Sequence, residues 1–347
     1  MQSLPASSNV LAAVTSLPTD ATIAAAATQL SGQLYASTQT ALLGESRSVR
    51  DALLGRLRQA DSATADRAGT QVHGGITLWA HAVGAWSHHN ATADAARMND
   101  NLKGVMLGLD HSWNDHAWLG ASAGFTHSSI NIDQHPASAT SHNVDIGMYG
   151  GLRADAFSLL GGLAYTRQKL SSQRQITIPG LAGQATSDYS AKTTQVFADA
   201  GYRFEFARTS LTPFVRAAWV KLQTDGFDEH GSGAALVGAS AGKSMGVATL
   251  GLRATTRFAL THGTLTLHEK LGWQDVLGQP DATTSLAFQQ GQAFTVEGVG
   301  VADSAAVAGV GLGYQSGHGF SLDASWTGWL ASSAKVNQFS LRLAWSF

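Results

Sequence analysis

The sequence predicts an all-β fold: a twelve-stranded antiparallel transmembrane β-barrel preceded by a helical leading segment. Three observations predict it. Apolar residues recur with a period of two from Gly74 to the last residue. The alternating segments are longer than soluble sheets need. Their connections switch between tight turns and long polar loops. Composition removes the other classes. Among 347 residues, 13% are charged and 44% hydrophobic, which is too little charge for a disordered chain. The 38 glycines follow no collagen period. A membrane-spanning helix needs ~18 to 20 apolar residues, and the longest runs, such as Ala305 to Tyr314, reach only about half that and are interrupted by glycine. The net charge of −2 provides no global field toward nucleic acid, so no nucleic-acid partner is expected. The absence of cysteine removes disulfides, thiolate metal sites and cysteine nucleophiles, and it suits an oxidising compartment. No basic start precedes an apolar core, so no signal peptide is expected, and Met1-Gln2-Ser3-Leu4 reads as the start of a shortened chain.

Residues 1–70 contain neither Trp nor Phe. From Thr19 to Arg58 the favoured period is helical: Leu30 and Leu34 are spaced i, i+4, and Leu42, Val49, Leu53 and Leu57 extend the stripe. Arg47, Arg50, Asp51, Arg56 and Arg58 punctuate it, Gly44 and Gly55 weaken it, and Asp61 to Gly69 reads as a polar break. Spacing alone describes an amphipathic surface helix.

Twelve alternating strands follow, at 75–89, 99–114, 117–131, 141–155, 157–172, 190–207, 209–226, 243–259, 263–278, 303–316, 319–331 and 336–347. In the fourth, Val144, Ile146, Met148 and Leu152 alternate with Asn143, Asp145, Tyr149 and Arg153. In the last, Phe339, Leu341, Leu343, Trp345 and Phe347 alternate with Ser340, Arg342, Ala344 and Ser346. Most of these segments exceed the ~5 to 6 residues of soluble strands and suit the ~9 to 11 tilted residues that cross a bilayer. Tight turns at Asn114-Asp115-His116, Asp155-Ala156, Ala207-Arg208-Thr209, Thr261-His262-Gly263 and Gly317-His318-Gly319 alternate with longer loops, a pattern of periplasmic turns and extracellular loops. The final connection, Ser332 to Lys335, is short.

The faces separate a barrel from a soluble sandwich or propeller. Asp145, Arg153, Asp199, Arg203, Glu205, Arg216, Arg253, Arg257, Lys270 and Arg342 share the non-apolar parity. So many charges in a dry core would cost several kcal/mol each, whereas a wet lumen holds them at little cost. The nine tryptophans fall mostly toward strand ends, as an aromatic girdle would place them; Trp113 and Trp118 flank one turn. Open sheet edges cannot face lipid, so the sheet must close. Glu269 is the exception, sharing the parity of Leu265, Leu267, Leu271 and Trp273.

These features resemble the translocator, or β-domain, of the monomeric bacterial autotransporters of type V secretion. The resemblance rests on the linker Gln29 to Ser37, the first strand Leu78-Trp79-Ala80, and the central strand Leu267-His268-Glu269-Lys270-Leu271-Gly272-Trp273. It also rests on Phe294 to Gly298 ahead of Gly309 to Tyr314, and on the terminal aromatic Phe347. It implies a barrel with an N-terminal α-helix threaded through the lumen and an N-terminally attached passenger delivered to the cell surface. It further implies a Gram-negative outer-membrane location, with outer-membrane lipid, the barrel-assembly machinery and periplasmic chaperones as partners. Phe339, Leu341, Leu343, Trp345 and Phe347 would form the assembly signal. Geometry agrees with the threaded helix. Strand one starts on the short-turn side near His73, so a passenger outside requires the linker to descend through the lumen. A helix of roughly 25 residues spans about 38 Å, enough for a hydrocarbon core of ~30 Å. The expected organisation is a linker over 1–36, a pore helix and connection over 37–70 with the helix near Ser37–Gln59, and a barrel over 71–347.

Tempting catalytic motifs lack their context. Gly120-Ala121-Ser122-Ala123-Gly124 and Gly238-Ala239-Ser240-Ala241-Gly242 match G-x-S-x-G, but the elbow needs a strand–turn–helix setting. The 13 histidines, among them His88, His89, His111, His116 and His127, form no metal spacing. Gly309-x-Gly311-x-Gly313 precedes no helix and is no phosphate loop. Some family members cut the passenger off within the barrel; no Asn-Asn junction stands here. The expectation is a monomeric translocator without enzymatic activity, cofactor or metal. The alternatives are a passive outer-membrane pore and an outer-membrane hydrolase with a rim site.

Overall fold

The computed structural model describes residues 8–66, 75–114, 116–133, 136–278, 282–289 and 291–347. Three helices come first: α1 (Asn9–Thr15), α2 (Asp20–Leu30) and α3 (Gln33–Asp66). Twelve long strands follow: β1 (Ile76–His89), β2 (Met98–Asn114), β3 (Ala117–Ile132), β4 (Ala137–Ala154), β5 (Phe157–Ile176) and β6 (Gly183–Tyr202, continued by Phe204–Phe206), then β7 (Thr209–Thr224), β8 (Ala241–Leu260), β9 (Gly263–Leu277), β10 (Ser304–Ser316), β11 (Phe320–Leu330) and β12 (Ala334–Ser346). Each pairs antiparallel with its sequence neighbours, and β12 returns to β1 through thirteen register pairs from Thr77↔Ser346 to His89↔Ala334. The sheet therefore has no free edge, which is the condition for exposing strands to hydrocarbon. No described helix is long and apolar enough to cross a membrane.

Alternation sorts the faces. Leu107, Phe125, Ile146, Leu163, Leu250 and Leu271 point outward and are exposed, while Asp145, Tyr149, Asp199 and Gln195 on the opposite parity are buried. Glu269 points outward with Leu271 and Trp273. Three strands run farther on the long-loop side than alternation predicts: β4 begins at Ala137, β5 ends at Ile176 and β6 begins at Gly183. Both faces are polar there, so the apolar signal stops while the ladder continues, as in Ser171↔Asp188 and Gln173↔Thr186. His73 and Asp115 lie outside the described residues.

The long loops are not plain coil. Phe294–Glu297, Thr283–Phe288, Leu236–Gly238 and Phe227–Asp228 form a second, four-stranded sheet above the barrel mouth. Nor is the segment before α3 unstructured. Thr19 caps α2 in a capping box with Thr22. The pair α1 and α2 buries Val10, Val14, Ala26 and Leu30 against Ile176 at the end of β5 and Ile178 and Leu181 of the β5–β6 loop. Gly32, at φ +70, turns the chain from α2 into α3, and α3 begins four residues before the expected Ser37.

The girdle reading of the tryptophans is corrected at three positions. Trp86, Trp113, Trp219, Trp273 and Trp345 are exposed on the outer face, but Trp79, Trp118 and Trp329 point inward and are buried at 1%, 3% and 4% exposure. The ring of Trp79 lies over Gly108 and that of Trp118 over Gly151, where any Cβ would collide with it. With Tyr149 and Phe197 these rings form an apolar wall against Leu53, Leu54 and Leu57 of α3. Part of the lumen is thus a dry core.

Gly32 generates a prediction. A side chain there would meet Leu236 and Leu286 at 2.6 Å in a backbone region that L residues avoid. Gly32→Val is expected to loosen the outer cap by ~1 to 3 kcal/mol, read as faster proteolytic cleavage between α2 and α3 with the far-ultraviolet signal of the barrel unchanged.

Candidate functional site: the helix-filled lumen

The site is the contact between α3 and the inner wall. Leu53, Leu54 and Leu57 are wholly buried, and each such side chain contributes ~1.5 to 3 kcal/mol relative to exposure. The helix leans on β1 to β7, most closely on β4 and β5. Its opposite flank borders a cavity of about 200 Å³ lined by Arg253, His268, Lys270, Gly311, Asp323 and Arg342. The lumen is therefore dry on one side of the helix and polar on the other.

Charged side chains fix the rotation and depth of α3. Arg56 donates two hydrogen bonds of 2.7 Å to the carboxylate of Asp110 on β2. The Tyr149 hydroxyl also donates to Asp110, at 3.1 Å, and accepts from the indole of Trp79. Asp51 accepts 2.9 Å from Arg216, whose Nε donates 3.0 Å to Asp199. Arg253 also binds Asp199 and stacks 3.6 Å from the Phe214 ring. A line of alternating charge thus runs from the helix into β6, β7 and β8. Arg50 donates 2.9 Å to Gln195, and Gln195 returns 3.0 Å to the carbonyl of Ser46. Arg47 reaches back to the Gly44 carbonyl at 2.8 Å and lies 5.0 Å from the Trp329 ring centre. Arg58 stands within electrostatic reach of Arg253, Arg216, Asp199 and Asp51.

The two ends of the helix are also held. At the short-turn end, Arg203 donates 2.7 Å to Asp61 and Arg153 lies 3.8 Å from the same carboxylate. At the long-loop end, the Tyr35 hydroxyl donates 2.6 Å to Glu229, which receives a two-pronged bond of 2.7 and 2.6 Å from Arg174. The Tyr35 ring stacks on Phe227 at 3.9 Å. Burial, and then the Glu229 charge, hold this phenol above its ordinary pKa, so it remains a donor.

Placement of the remaining candidates varies. Asp145 is fully buried and accepts from Thr126 and Thr166 rather than from the helix. Arg342 lies 3.7 Å from Asp323, in space that only a glycine at position 55 leaves open. The Lys270 ammonium sits 5.6 Å from the Trp329 ring centre. Arg257 lines the cavity near its short-turn end. Glu205 departs from the lumen reading: its side chain is 58% exposed at the barrel rim, 3.9 Å from Arg203. The strand breaks at Arg203 and carries Glu205 past the wall. Phe339, Leu341, Leu343, Trp345 and Phe347 all face outward. Gly120 to Gly124 lies inside β3, so no nucleophile elbow forms there. Among the described residues no group of three or more His, Asp and Glu could hold a metal.

Sequence reasoning missed Asp110, Asp323, Gln195 and Glu45. Parity marks the first three as inward, but only a partner makes them matter. Glu45 is buried on α3 near Asp100 and Asp145, with the Ser128 hydroxyl beside its carboxylate.

Comparison with known proteins places this architecture. A family model described as autotransporter beta-domain matches residues 78–327. Two Serratia marcescens proteins, each described as an extracellular serine protease, are 32% identical over 323 residues and 30% identical over 321. Each alignment takes in 92% of this chain but 30% of the relative, so the chain spans under a third of those proteins. Among solved structures, the translocator domain of NalP from Neisseria meningitidis has a TM-score of 0.67 at 16% identity, covering 88% of this chain and 98% of that one. The β-domain of Bordetella BrkA scores 0.59 at 18% identity, covering 80% and 100%. The transport unit of AIDA-I from Escherichia coli also scores 0.59, at 12% identity, covering 78% and 90%. At these identities the structural likeness concerns the fold.

The Arg56–Asp110 pair supplies the test of this site. Asp110→Asn strands a buried guanidinium and is expected to lower stability by ~3 to 5 kcal/mol. The double variant Arg56→Met with Asp110→Asn is expected to recover most of that loss in denaturant unfolding of the refolded barrel.

Proposed function

This chain belongs to the autotransporter beta-domain family, and from that premise we propose that it delivers an N-terminally attached passenger across the outer membrane of a Gram-negative cell. The helix then remains in the pore. The observation that carries the reading is the direction of α3. Near its start Tyr35 lies among the long loops, and near its other end Asp61 lies beside the short turns. The described segment before α3 therefore lies on the long-loop side, which this reading takes as extracellular. A helix that first reached the lumen from the periplasm would present its preceding residues to the wrong compartment.

The organisation that fits this reading is a linker over 1–36, which includes α1 and α2, a pore helix and connection over 37–70, and a barrel over 71–347. The positions of Arg47, Arg50, Asp51, Arg56 and Arg58 against the lumen wall seat the helix once transport is complete. No nucleotide is required, since folding of the passenger outside can bias its passage. The exposed row ending at Phe347 is proposed as the surface read by the barrel-assembly machinery, after periplasmic chaperones have kept the chain unfolded. The barrel is assigned no reaction of its own and acts as a monomer. A protease activity, named for the Serratia relatives, would reside in a passenger.

Two measurements test this. A reporter fused ahead of residue 1 is expected to be digested when protease is added to intact cells; full protection overturns the proposal. In planar bilayers the full chain is expected to conduct little, and a chain lacking residues 1–70 many times more. Equal conductance would favour a passive pore whose leading segment leaves the lumen.

A further inference from the structure

The outer wall carries a band of cations that neither the plugged lumen nor secretion uses. Lys103 on β2 pairs in register with His127 on β3, His127 with His142 on β4, and His142 with Lys169 on β5. Arg167, two residues from Lys169, pairs with Lys192 on β6. Lys221 on β7 pairs with Thr194, two residues from Lys192. The Lys and Arg side chains and His142 are exposed, and the His127 and His142 rings lie 4.6 Å apart. Seven cationic or titratable side chains thus follow one another across six adjacent strands, although the whole chain has a net charge of −2.

Height gives the band its meaning. Within two to four residues toward the short-turn side, the same faces carry Val105, Phe125, Val144, Leu163, Val196 and Trp219, all exposed. The cations therefore stand where the apolar belt ends on the long-loop side. Among the described residues, none of Lys103, Arg167, Lys169, Lys192 and Lys221 takes part in an ion pair. Apart from Glu205 at the short-turn rim, the one carboxylate exposed on β2 to β7 is Asp188, farther out on β6 and engaged by the Ser171 hydroxyl. The outward faces of β8 to β11 carry no Lys or Arg, and instead carry Glu269 and Asp275. A random scatter of solubilising charge would not divide the barrel in this way. Like charges on adjacent strands repel, so the band calls for a multivalent anion fixed at that depth.

We propose that β2 to β7 form a docking surface for the phosphate-bearing headgroup of an anionic glycolipid in the extracellular leaflet. Arg167 grips phosphate through paired donors, the lysines add point charges, and the acyl chains lie on the belt below. Continuity with the lipid-facing belt selects a lipid over a free anion, which has no reason to be held at one height. The proposal requires the barrel to sit in a bilayer but does not depend on delivery of a passenger.

The test uses the full chain refolded in detergent micelles and native mass spectrometry. The probes are diphosphorylated lipid A, the same lipid without phosphates, and inorganic phosphate. The diphosphorylated lipid is expected to be retained, and the other two are not. A variant carrying Arg167→Gln, Lys169→Gln and Lys192→Gln is expected to bind it about a hundredfold more weakly, while Lys335→Gln on β12 binds as wild type. Equal retention of the two lipids, retention of free phosphate in their place, or undiminished binding by the triple variant overturns the proposal. If the triple variant fails to refold, the comparison of lipids on the wild-type chain decides alone.

Discussion

The structure depends on closure of β12 onto β1. Each strand presents one apolar face to hydrocarbon, and hydrocarbon cannot satisfy an unpaired backbone amide or carbonyl. Thirteen register pairs between the first and last strands remove that liability. Closure also creates an inside. Every residue on the second parity is then turned toward a limited space, and what fills that space decides which of them are tolerated.

Filling is uneven, and the unevenness explains the composition of the inner wall. Toward β1 to β7 the helix meets Trp79, Trp118, Tyr149 and Phe197, large rings seated over glycines, and water is excluded. Toward β8 to β12 the wall is Gly309, Gly311, Ser325 and Thr327 with Arg253, Lys270 and Arg342 rising between them, and a cavity remains. The ion pairs sit at the boundary. Arg56 with Asp110, and Asp51 with Arg216 and Asp199, are buried enough to be directional yet bordered by polar groups that offset their desolvation. Packing supplies most of the stabilisation of α3, and the charges select one rotation of the helix. The Tyr35–Glu229–Arg174 cluster and Asp61 fix its two ends.

The outer surface follows the same logic of depth. One parity is apolar through the middle of each strand and becomes polar at both ends. On β2 to β7 the upper transition is cationic, whereas on β9 two carboxylates occur on the apolar face. Glu269, unusual in a hydrophobic row, keeps its outward position because a one-residue slip would turn Lys270 outward and bring Leu271 and Trp273 into the wet side of the lumen.

Much of this was legible in the chain alone. A period of two has only two faces, so strand number, turn positions and the inward parity of Asp145, Asp199, Arg216 and Arg342 follow from local spacing. Parity carries no information about what waits on the inner side. That is why Trp79, Trp118 and Trp329 read as interfacial, although they pack inward. It is also why β4, β5 and β6 seem to stop where their faces become equally polar. The Tyr35–Glu229–Arg174 cluster joins residues far apart in the chain, and the helical hairpin over the β5–β6 loop depends on burial that no local pattern encodes. The sequence by itself determined which side of each strand could meet lipid, because alternation is a property of neighbouring residues. Only the tertiary structure decided which inward residue meets the helix, which meets water, and which cations align across strands, because register and closure set those distances.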